Sequence, residues 1–340
     1  MYARLALLLL ATASAAQTVS PAACGPSPNI LHAIQKAEMV AVTNPMDFDR
    51  NVAPFRALRD RYPADLFVNE RYQDAVQQFG IEGHLRALTQ EYGDLLLQHP
   101  DEVKYKYLAA RAMIGRSTAS ATANLVSIIS ENPKFAPAYA SLAEIYASDA
   151  FHNVQKENTA RAELSALCPA TQLVPHPPAL PAHSRLIDQA EQLIDSGGAP
   201  DRVAQMAGQG IREDEWRLQR VRAFDWYSVD LKRQMFQEVR AEYWKLWSIQ
   251  VRCYRRSGQP AKAAQLLATM EQRAGSLQSS DGPSYWESMA ALARLYIEGD
   301  EKPQATEKLN AMSQFLSEHP DPSRETRLED LRTLLTVRSK

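Results

Sequence analysis

Two stretches decide the fold: Tyr105-Lys-Tyr-Leu-Ala-Ala-Arg-Ala112 and, 34 residues later, Tyr139-Ala-Ser-Leu-Ala-Glu-Ile-Tyr146. Both begin with tyrosine and carry leucine at the fourth and alanine at the fifth position. Residues three and four positions apart lie on one face of an α-helix. Self-similarity at a fixed period of roughly 20–50 residues is typical of stacked helical or strand repeats. The sequence therefore predicts a chain of repeating helical units.

The same pattern extends toward both ends of the chain. Pro63, Pro100 and Pro133 close successive units in the first half. The pattern returns after residue 240, where Tyr254 and Tyr296 occupy equivalent positions 42 residues apart. The extra residues of that longer step are expected to form a longer loop near 276–282, and a last amphipathic helix is expected from about residue 325 to 337.

These positions resemble the tetratricopeptide repeat family. In one unit the matching residues are Tyr105, Leu108, Ala109, Ala112, Ala121, Leu125, Ile128 and Pro133. The resemblance covers residues of about 50–168 and 242–320, and no repeat frame fits between 183 and 240. It implies an all-α, tetratricopeptide-like solenoid of helical hairpins in two halves, because one hairpin cannot bury its apolar face without a stacked neighbour.

Composition independently favours helices. The 340 residues include only 13 glycines, and 45 % are apolar. So few glycines argue against an all-β sandwich and against a fold built on glycine-rich phosphate loops. The formal net charge of −2 provides no positive field that would attract nucleic acid, so we expect no nucleic-acid partner.

The chain divides into six segments by composition and repeat pattern. These are a signal peptide (1–16), a flexible N-terminus (17–28), N-terminal repeats (29–168), a proline-rich linker (169–182), a helical region without a clear repeat frame (183–240), and C-terminal repeats with a capping helix (241–340). Five prolines between Pro169 and Pro181 define the linker, since proline breaks helices.

The first segment predicts export to the periplasm or beyond the cell. A basic residue, a short apolar run from Leu5 to Ala11 and small residues before Gln17 form the three-part pattern of a secretory signal. Cleavage is expected near Ala16–Gln17, and no membrane-spanning segment is expected in the mature chain. In an exported chain, three cysteines allow one disulfide, and the pairing of Cys168 with Cys253 stays open.

The sequence contains no recognisable catalytic motif. The seven histidines lack zinc-site spacing, and no nucleophile-elbow, Walker or dinucleotide fingerprint occurs. The stretch Asp195-Ser-Gly-Gly198 superficially resembles a protease nucleophile loop, but its glycines are better explained as the end of a helix. We therefore predict no enzymatic activity, no cofactor and no metal.

The family resemblance implies a binding face on the first helix of each repeat. It places Lys245, Ser248, Arg252, Arg255, Arg256 and, in the next unit, Arg294 on a concave groove, with Glu287, Ala290 and Ile297 beside them. A weaker face would contain Lys106, Ala110, Ala140 and Glu144. The basic groove predicts an acidic peptide or chain-end carboxylate as ligand, since guanidinium groups bind carboxylates in pairs. The other interpretation is a solvated charged stripe with no ligand.

Three functions are compatible with this sequence. The first is an exported scaffold that binds proteins or peptides through the concave groove. The second is an accessory or truncated relative of an exported repeat-containing thiol–redox protein. This rests on residues Pro54–Pro63, which faintly resemble repeat regions that precede redoxin domains. The third is a helical hydrolase with its site in 183–240. A shallow extended groove would favour the scaffold, and a deep closed pocket in 183–240 would favour the enzyme.

Overall fold

The computed structural model describes residues 24–40, 42, 44–169 and 186–338, and every regular element in those ranges is helical. The prediction of an all-α chain is confirmed. The helices of the first half are α1 (Pro28–Glu38), α2 (Phe48–Arg61), α3 (Leu66–Phe79), α4 (Glu82–Gln98), α5 (Val103–Ala112), α6 (Thr118–Glu131), α7 (Ala136–Ala147) and α8 (Val154–Leu167).

The second half contains seven further α-helices and a short 3-10 helix within the described ranges. These are α9 (Leu186–Asp195), α10 (Pro200–Ala223), α11 (Val229–Arg256), α12 (Pro260–Ala274), the 3-10 helix Ser279–Asp281, α13 (Pro283–Glu298), α14 (Lys302–Glu318) and α15 (Pro322–Arg338). The predicted signal peptide (1–16) and nearly all of the predicted proline-rich linker lie outside the described residues. The boundary expected at residue 240 falls inside α11, which continues through it.

Short polar residues and prolines set the helix starts. The side chains of Asp47, Asp65, Asn153 and Ser228 each accept a hydrogen bond from a backbone N–H in the first turn of the helix that follows. Pro28, Pro200, Pro260, Pro283 and Pro322 occupy the first position of their helices, where no N–H is needed. After Asp195, Gly197 adopts a left-handed conformation (φ +81°), so the glycine-terminated helix end expected there is confirmed.

Consecutive helices bury the apolar positions identified in the sequence. Leu108, Ala121 and Leu125 are fully buried in a core shared by α2 to α8. In the second half, Leu292, Ala293 and Tyr296 belong to a core formed by α11 to α15. Ala143 and Ala293 are fully buried, whereas Ala109 is only partly buried.

Several side-chain contacts between neighbouring helices of the first half join residues 34 to 41 positions apart in sequence. Tyr107 Oη and Ser141 Oγ, for example, lie 3.0 Å apart across a separation of 34 residues. Three contacts of the second half join residues 40 positions apart. Trp244 donates to Ser284 (3.2 Å), Arg255 to the carbonyl oxygen of Leu295 (2.7 Å), and Arg327 to Glu287 (2.7 Å). These contacts place α11 next to α13, and α13 next to α15.

The two halves are joined through the turn between α10 and α11. The ring of Trp226 packs against Gly115, where an added Cβ would lie 2.7 Å from the indole. Gly115 also has φ +87°, so both its conformation and its surroundings require glycine. Asp225 donates its backbone N–H to the Gly115 carbonyl (2.7 Å) and accepts from the backbone of Thr118 (2.7 Å).

One disulfide closes a long loop in the first half. Cys24 is bonded to Cys168 at the end of α8, with their Cα atoms 5.4 Å apart, and the intervening separation is 144 residues. The bond attaches the start of the described chain to the small core of α7 and α8. Cys253 is a buried free thiol, so the open pairing of Cys168 is resolved in favour of Cys24.

Among the described residues, no helix has the combination of length and apolar composition that crossing a membrane requires.

Candidate functional site

The predicted groove residues Arg252 and Arg294 lie together, but their charges are matched within the chain. Arg252 of α11 donates to Asp195 (2.5 Å) and lies 3.0 Å from Glu298. Arg294 of α13 contacts the same two acids, at 2.7 and 3.3 Å. We call Asp195, Arg252, Arg294 and Glu298 the arginine network. Its two cations and two carboxylates balance, and Arg252 is only 4 % exposed.

The other predicted groove residues are also largely committed. Arg255 donates to the Leu295 carbonyl oxygen, and Arg256 donates to the Ile194 carbonyl oxygen. Ser248 is buried and Lys245 is half-buried. Ala290 and Ile297, expected beside the groove, belong to the core, and Glu287 pairs with Arg327. This face therefore connects α9, α11 and α13, and few of its guanidinium donors remain for a ligand.

The weaker face expected in the first half contains an unanticipated acidic cluster, defined by Glu70, Asp74 and Glu144. Arg111 of α5, 5 % exposed, donates to Asp74 (2.5 Å), and Tyr107 donates to Glu70 (2.6 Å). Burial raises the pKa of Glu144 to about 8 and raises that of Glu70. Glu144 is therefore mostly protonated at neutral pH, and the cluster carries less negative charge than its composition suggests.

Of the remaining residues of that weaker face, Lys106 is paired with Glu131 at 3.0 Å and Ala110 is buried. The sequence signal that would have located the cluster is the placement of Glu70 and Asp74 one helical turn apart on α3, with Arg111 37 residues beyond Asp74.

A cavity of about 400 Å³ lies between the first turns of α11 and the start of α13. We call it the α11 cavity. It is lined by Val229, Lys232, Arg233, Phe236, Gln237, Arg240, Asp281 and Ser284. Arg233 and Arg240 are exposed, and Val229 is 73 % exposed, so the cavity is accessible from solvent.

The cavity exists because the first turns of α11 extend beyond the start of α13, the helix packed beside it. Trp244 of α11 contacts Ser284, the second residue of α13, and it is 15 residues after Val229. At about 1.5 Å per residue, α11 extends past the start of α13 by about 20 Å. The first turns of α11 therefore lack the helix that covers its later turns.

Two cations of the α11 cavity make no ion pair in the described part of the chain. Lys232 and Arg240 have no carboxylate within 4.0 Å there. Arg233 pairs with Asp230 at 2.8 Å, and both side chains are more than half exposed. The sequence did not indicate these residues as a site because they lie in the region 183–240, where no repeat frame fits. The available signal was the spacing of Lys232, Phe236 and Arg240 at four-residue steps.

A second charged group in the region without a repeat frame is inaccessible. Arg217 of α10 lies 3.1 Å from Asp214 and 2.7 Å from Glu242 of α11. Burial, together with a hydrogen bond to Glu242, raises the pKa of Asp214 to about 8. Asp214 is fully buried, so this cluster cannot contact a dissolved substrate in the folded state.

The described residues offer neither a grouped set of metal ligands nor a reactive thiol. Within the ranges that the structure covers, no three histidine, cysteine or acidic side chains are grouped so as to hold a metal ion. Burial raises the pKa of the Cys253 thiol to about 11, so it is protonated at neutral pH.

No family model matches this chain, and neither a curated protein nor a solved structure is similar to it.

Proposed function

We propose that this chain is an exported, non-catalytic scaffold that binds a segment of another polypeptide along α11. The observation that supports this most directly is the accessible α11 cavity, where Lys232 and Arg240 have no ion-pair partner in the described chain. Elsewhere on α11, the guanidinium groups of Arg252, Arg255 and Arg256 already bind acceptors within the chain. The binding surface proposed is therefore the first turns of this helix, upstream of the groove predicted from sequence.

The architecture we infer for this scaffold is a tetratricopeptide-like solenoid. Support comes from contacts between residues about one expected repeat length apart, such as Tyr107 with Ser141 across 34 residues and Trp244 with Ser284 across 40. Repeats that contact equivalent positions in their neighbours build extended surfaces of this kind. The disulfide between Cys24 and Cys168 is in keeping with export, since disulfides persist in oxidising compartments.

Binding fits the α11 cavity better than hydrolysis does. Asp281 is the one acidic residue in its lining, and its carboxylate accepts the backbone N–H of Gln278 at 2.8 Å. General acid–base chemistry needs a positioned group that exchanges protons with substrate. Asp214, whose pKa is raised, lies instead in the buried cluster around Arg217.

Site-specific cross-linking tests the proposed binding surface. A photoreactive residue replaces Gln237, which lines the cavity, in the chain expressed in its own cell envelope. The matched control places the same residue at Gln234, which is exposed on α11 but outside the cavity lining. We expect a discrete protein adduct from position 237 and a much weaker one from position 234. Equal adducts from both positions, or none from 237, would contradict the proposal.

Export has a separate test. Deletion of Leu5–Leu10 should retain the precursor inside the cell, and the mature chain should begin near Gln17. N-terminal sequencing of chain recovered outside the cytoplasm checks this. An intact Met1 on that material would exclude cleavage of the signal.

A further inference from the structure

Three residues of the α11 cavity form a stripe on one helix face, inclined to the helix axis. Lys232, Phe236 and Arg240 follow one another at four-residue intervals, and all three line the cavity. At about 1.5 Å per residue, each interval advances about 6 Å along the helix axis. The stripe therefore presents a cation, an aromatic ring and a second cation at regular steps.

The lining of the α11 cavity contains more positive than negative side chains. Lys232, Arg233 and Arg240 are opposed in the cavity lining by Asp281 alone. Asp230 also binds Arg233, but its side chain is 88 % exposed and it lies outside the lining. Lys232 and Arg240 have no acid within 4.0 Å in the ranges described, so their charges remain available to a ligand.

The centre of the stripe is apolar. Phe236 is half-buried, and the guanidinium carbon of Arg222 lies 5.3 Å from its ring centroid, which holds the ring in place on one side. Val229, one turn before Lys232, exposes 73 % of its surface. A ligand that matches the site therefore combines negative charge at both ends with an apolar group between them.

An extended polypeptide has the same repeat distance as the stripe. Side chains two residues apart on a strand point to the same side, and they are separated by about 6.4–6.8 Å. That distance is close to the step of about 6 Å between Lys232, Phe236 and Arg240. Resting on the proposed polypeptide-binding function, the geometry points to a specific ligand: an extended partner segment of the pattern acidic–x–apolar–x–acidic, lying along the first turns of α11.

In this arrangement the two carboxylates bind Lys232 and Arg240, and the apolar side chain packs on Phe236. Charge-assisted hydrogen bonds from a guanidinium to a carboxylate are roughly twice as strong as neutral ones. A single small anion would engage one cation and leave Phe236 uncovered. A nucleic acid fits less well, because the whole chain has a net charge of −2.

Peptide binding to the full mature chain tests the ligand pattern. The probe is a fluorescein-labelled peptide, Gly-Glu-Ser-Phe-Ser-Glu-Gly, followed by fluorescence anisotropy at low salt. One comparison peptide replaces both glutamates by glutamine, and another has the same composition in the order Gly-Glu-Glu-Ser-Ser-Phe-Gly. We expect both to bind about tenfold more weakly, since each loses at least one paired contact.

Charge-matched variants locate the binding site. Lys232→Gln with Arg240→Gln should weaken binding of the probe peptide about tenfold or more. Arg202→Gln with Lys262→Gln removes two exposed cations from α10 and α12 and should leave it unchanged. Circular dichroism should be the same for both variants. Equal binding by both, or equal affinity for the reordered peptide, would overturn the inference.

Competition separates the proposed ligand from other anions. Displacement of the probe by millimolar inorganic phosphate, or tighter binding of oligothymidylate, would assign the site to a different ligand and overturn the inference. A protein adduct at position 237 without binding of the probe peptide would reject the ligand pattern while leaving the polypeptide-binding function in place. Absence of both the adduct and the binding would reject the two proposals together.

Discussion

The guanidinium of Arg220 lies 2.8 Å from the carbonyl oxygen of Gly80, which precedes it by 140 residues. The same Nη1 also donates to the Gln77 carbonyl at 3.1 Å, so one buried side chain of α10 satisfies two backbone acceptors at the end of α3. Burial lowers the pKa of Arg220 to about 10, which still leaves it charged at neutral pH. This contact holds the second half of the chain against the first.

We therefore expect Arg220→Met to destabilise the protein by about 1.5–3 kcal/mol, since it removes a charged donor from two buried carbonyl groups. Arg212→Met is the matched control, because Arg212 is exposed on the same helix. Urea unfolding followed by circular dichroism measures both. Equal stability of the two variants would show that the Arg220 bonds do not hold the halves together.

Removal of the disulfide should lower the free energy of unfolding, because the unfolded chain gains conformational entropy when the cross-link is lost. Cys24→Ser frees a loop of 144 residues, and loss of a native disulfide typically costs about 2–5 kcal/mol. Denaturant unfolding of the oxidised protein, with and without dithiothreitol, measures this. Reductant should destabilise the wild-type chain to the level of the variant and leave the variant unchanged. If dithiothreitol did not change the free energy of unfolding of the wild-type chain, the disulfide would be contradicted.

The buried Asp214 should make stability depend on pH. Its pKa is about 8 in the fold and about 3.9 in an unfolded chain, so between these values the unfolded chain releases a proton that the folded chain keeps. The contribution of Asp214 to the free energy of unfolding is therefore fully present below about pH 4 and is lost as the pH rises toward 8. The slope for one proton is at most about 1.4 kcal/mol per pH unit.

Asp214→Asn isolates this contribution, because asparagine keeps the shape and a hydrogen-bond donor toward Glu242 but does not titrate. We expect the free energy of unfolding of the wild type to fall relative to that of the variant as the pH increases from 4 to 8. Thermal and urea unfolding across that range provide the comparison. Parallel profiles would mean that Asp214 ionises normally in the fold.

We expect the arginine network to stabilise the fold. The sequence-based expectation was instead that these arginines line an exposed groove and bind a ligand. Arg252→Ala removes the more buried guanidinium, but Asp195 is 46 % exposed and Arg294 still contacts both acids, so we expect a loss of about 1.5–3 kcal/mol. Arg294→Ala should cost less, since its side chain is 31 % exposed. Chemical denaturation of the two single variants measures the difference. A fully stable Arg252→Ala variant would show that the network does not support the fold.

Helix positions could be predicted closely from sequence, because they depend on local signals. The longer loop expected near 276–282 lies between α12, which ends at Ala274, and α13, which begins at Pro283. The last helix, expected at about 325–337, is α15 (Pro322–Arg338). Periodic apolar residues and proline at the first turn suffice to define such elements.

The candidate site could not be predicted in the same way. The partner of Arg252 is Asp195, 57 residues earlier in the region where no repeat frame fits, so the sequence offered no reason to place them together. The α11 cavity depends on how far α11 extends past α13, which is a property of two packed helices and of no single segment.

The sequence by itself determined that the described chain is helical, where its last helix lies, and that apolar residues such as Leu108, Ala143 and Leu292 are buried. These follow from hydrogen bonding and side-chain spacing within about a dozen residues. Only the tertiary structure decided which charged groups are already paired. Arg252 and Lys232 lie on the same helix, yet the first is buried between two acids and the second lines an open cavity. The reason is that charge pairing depends on distances across helices, and packing sets those distances.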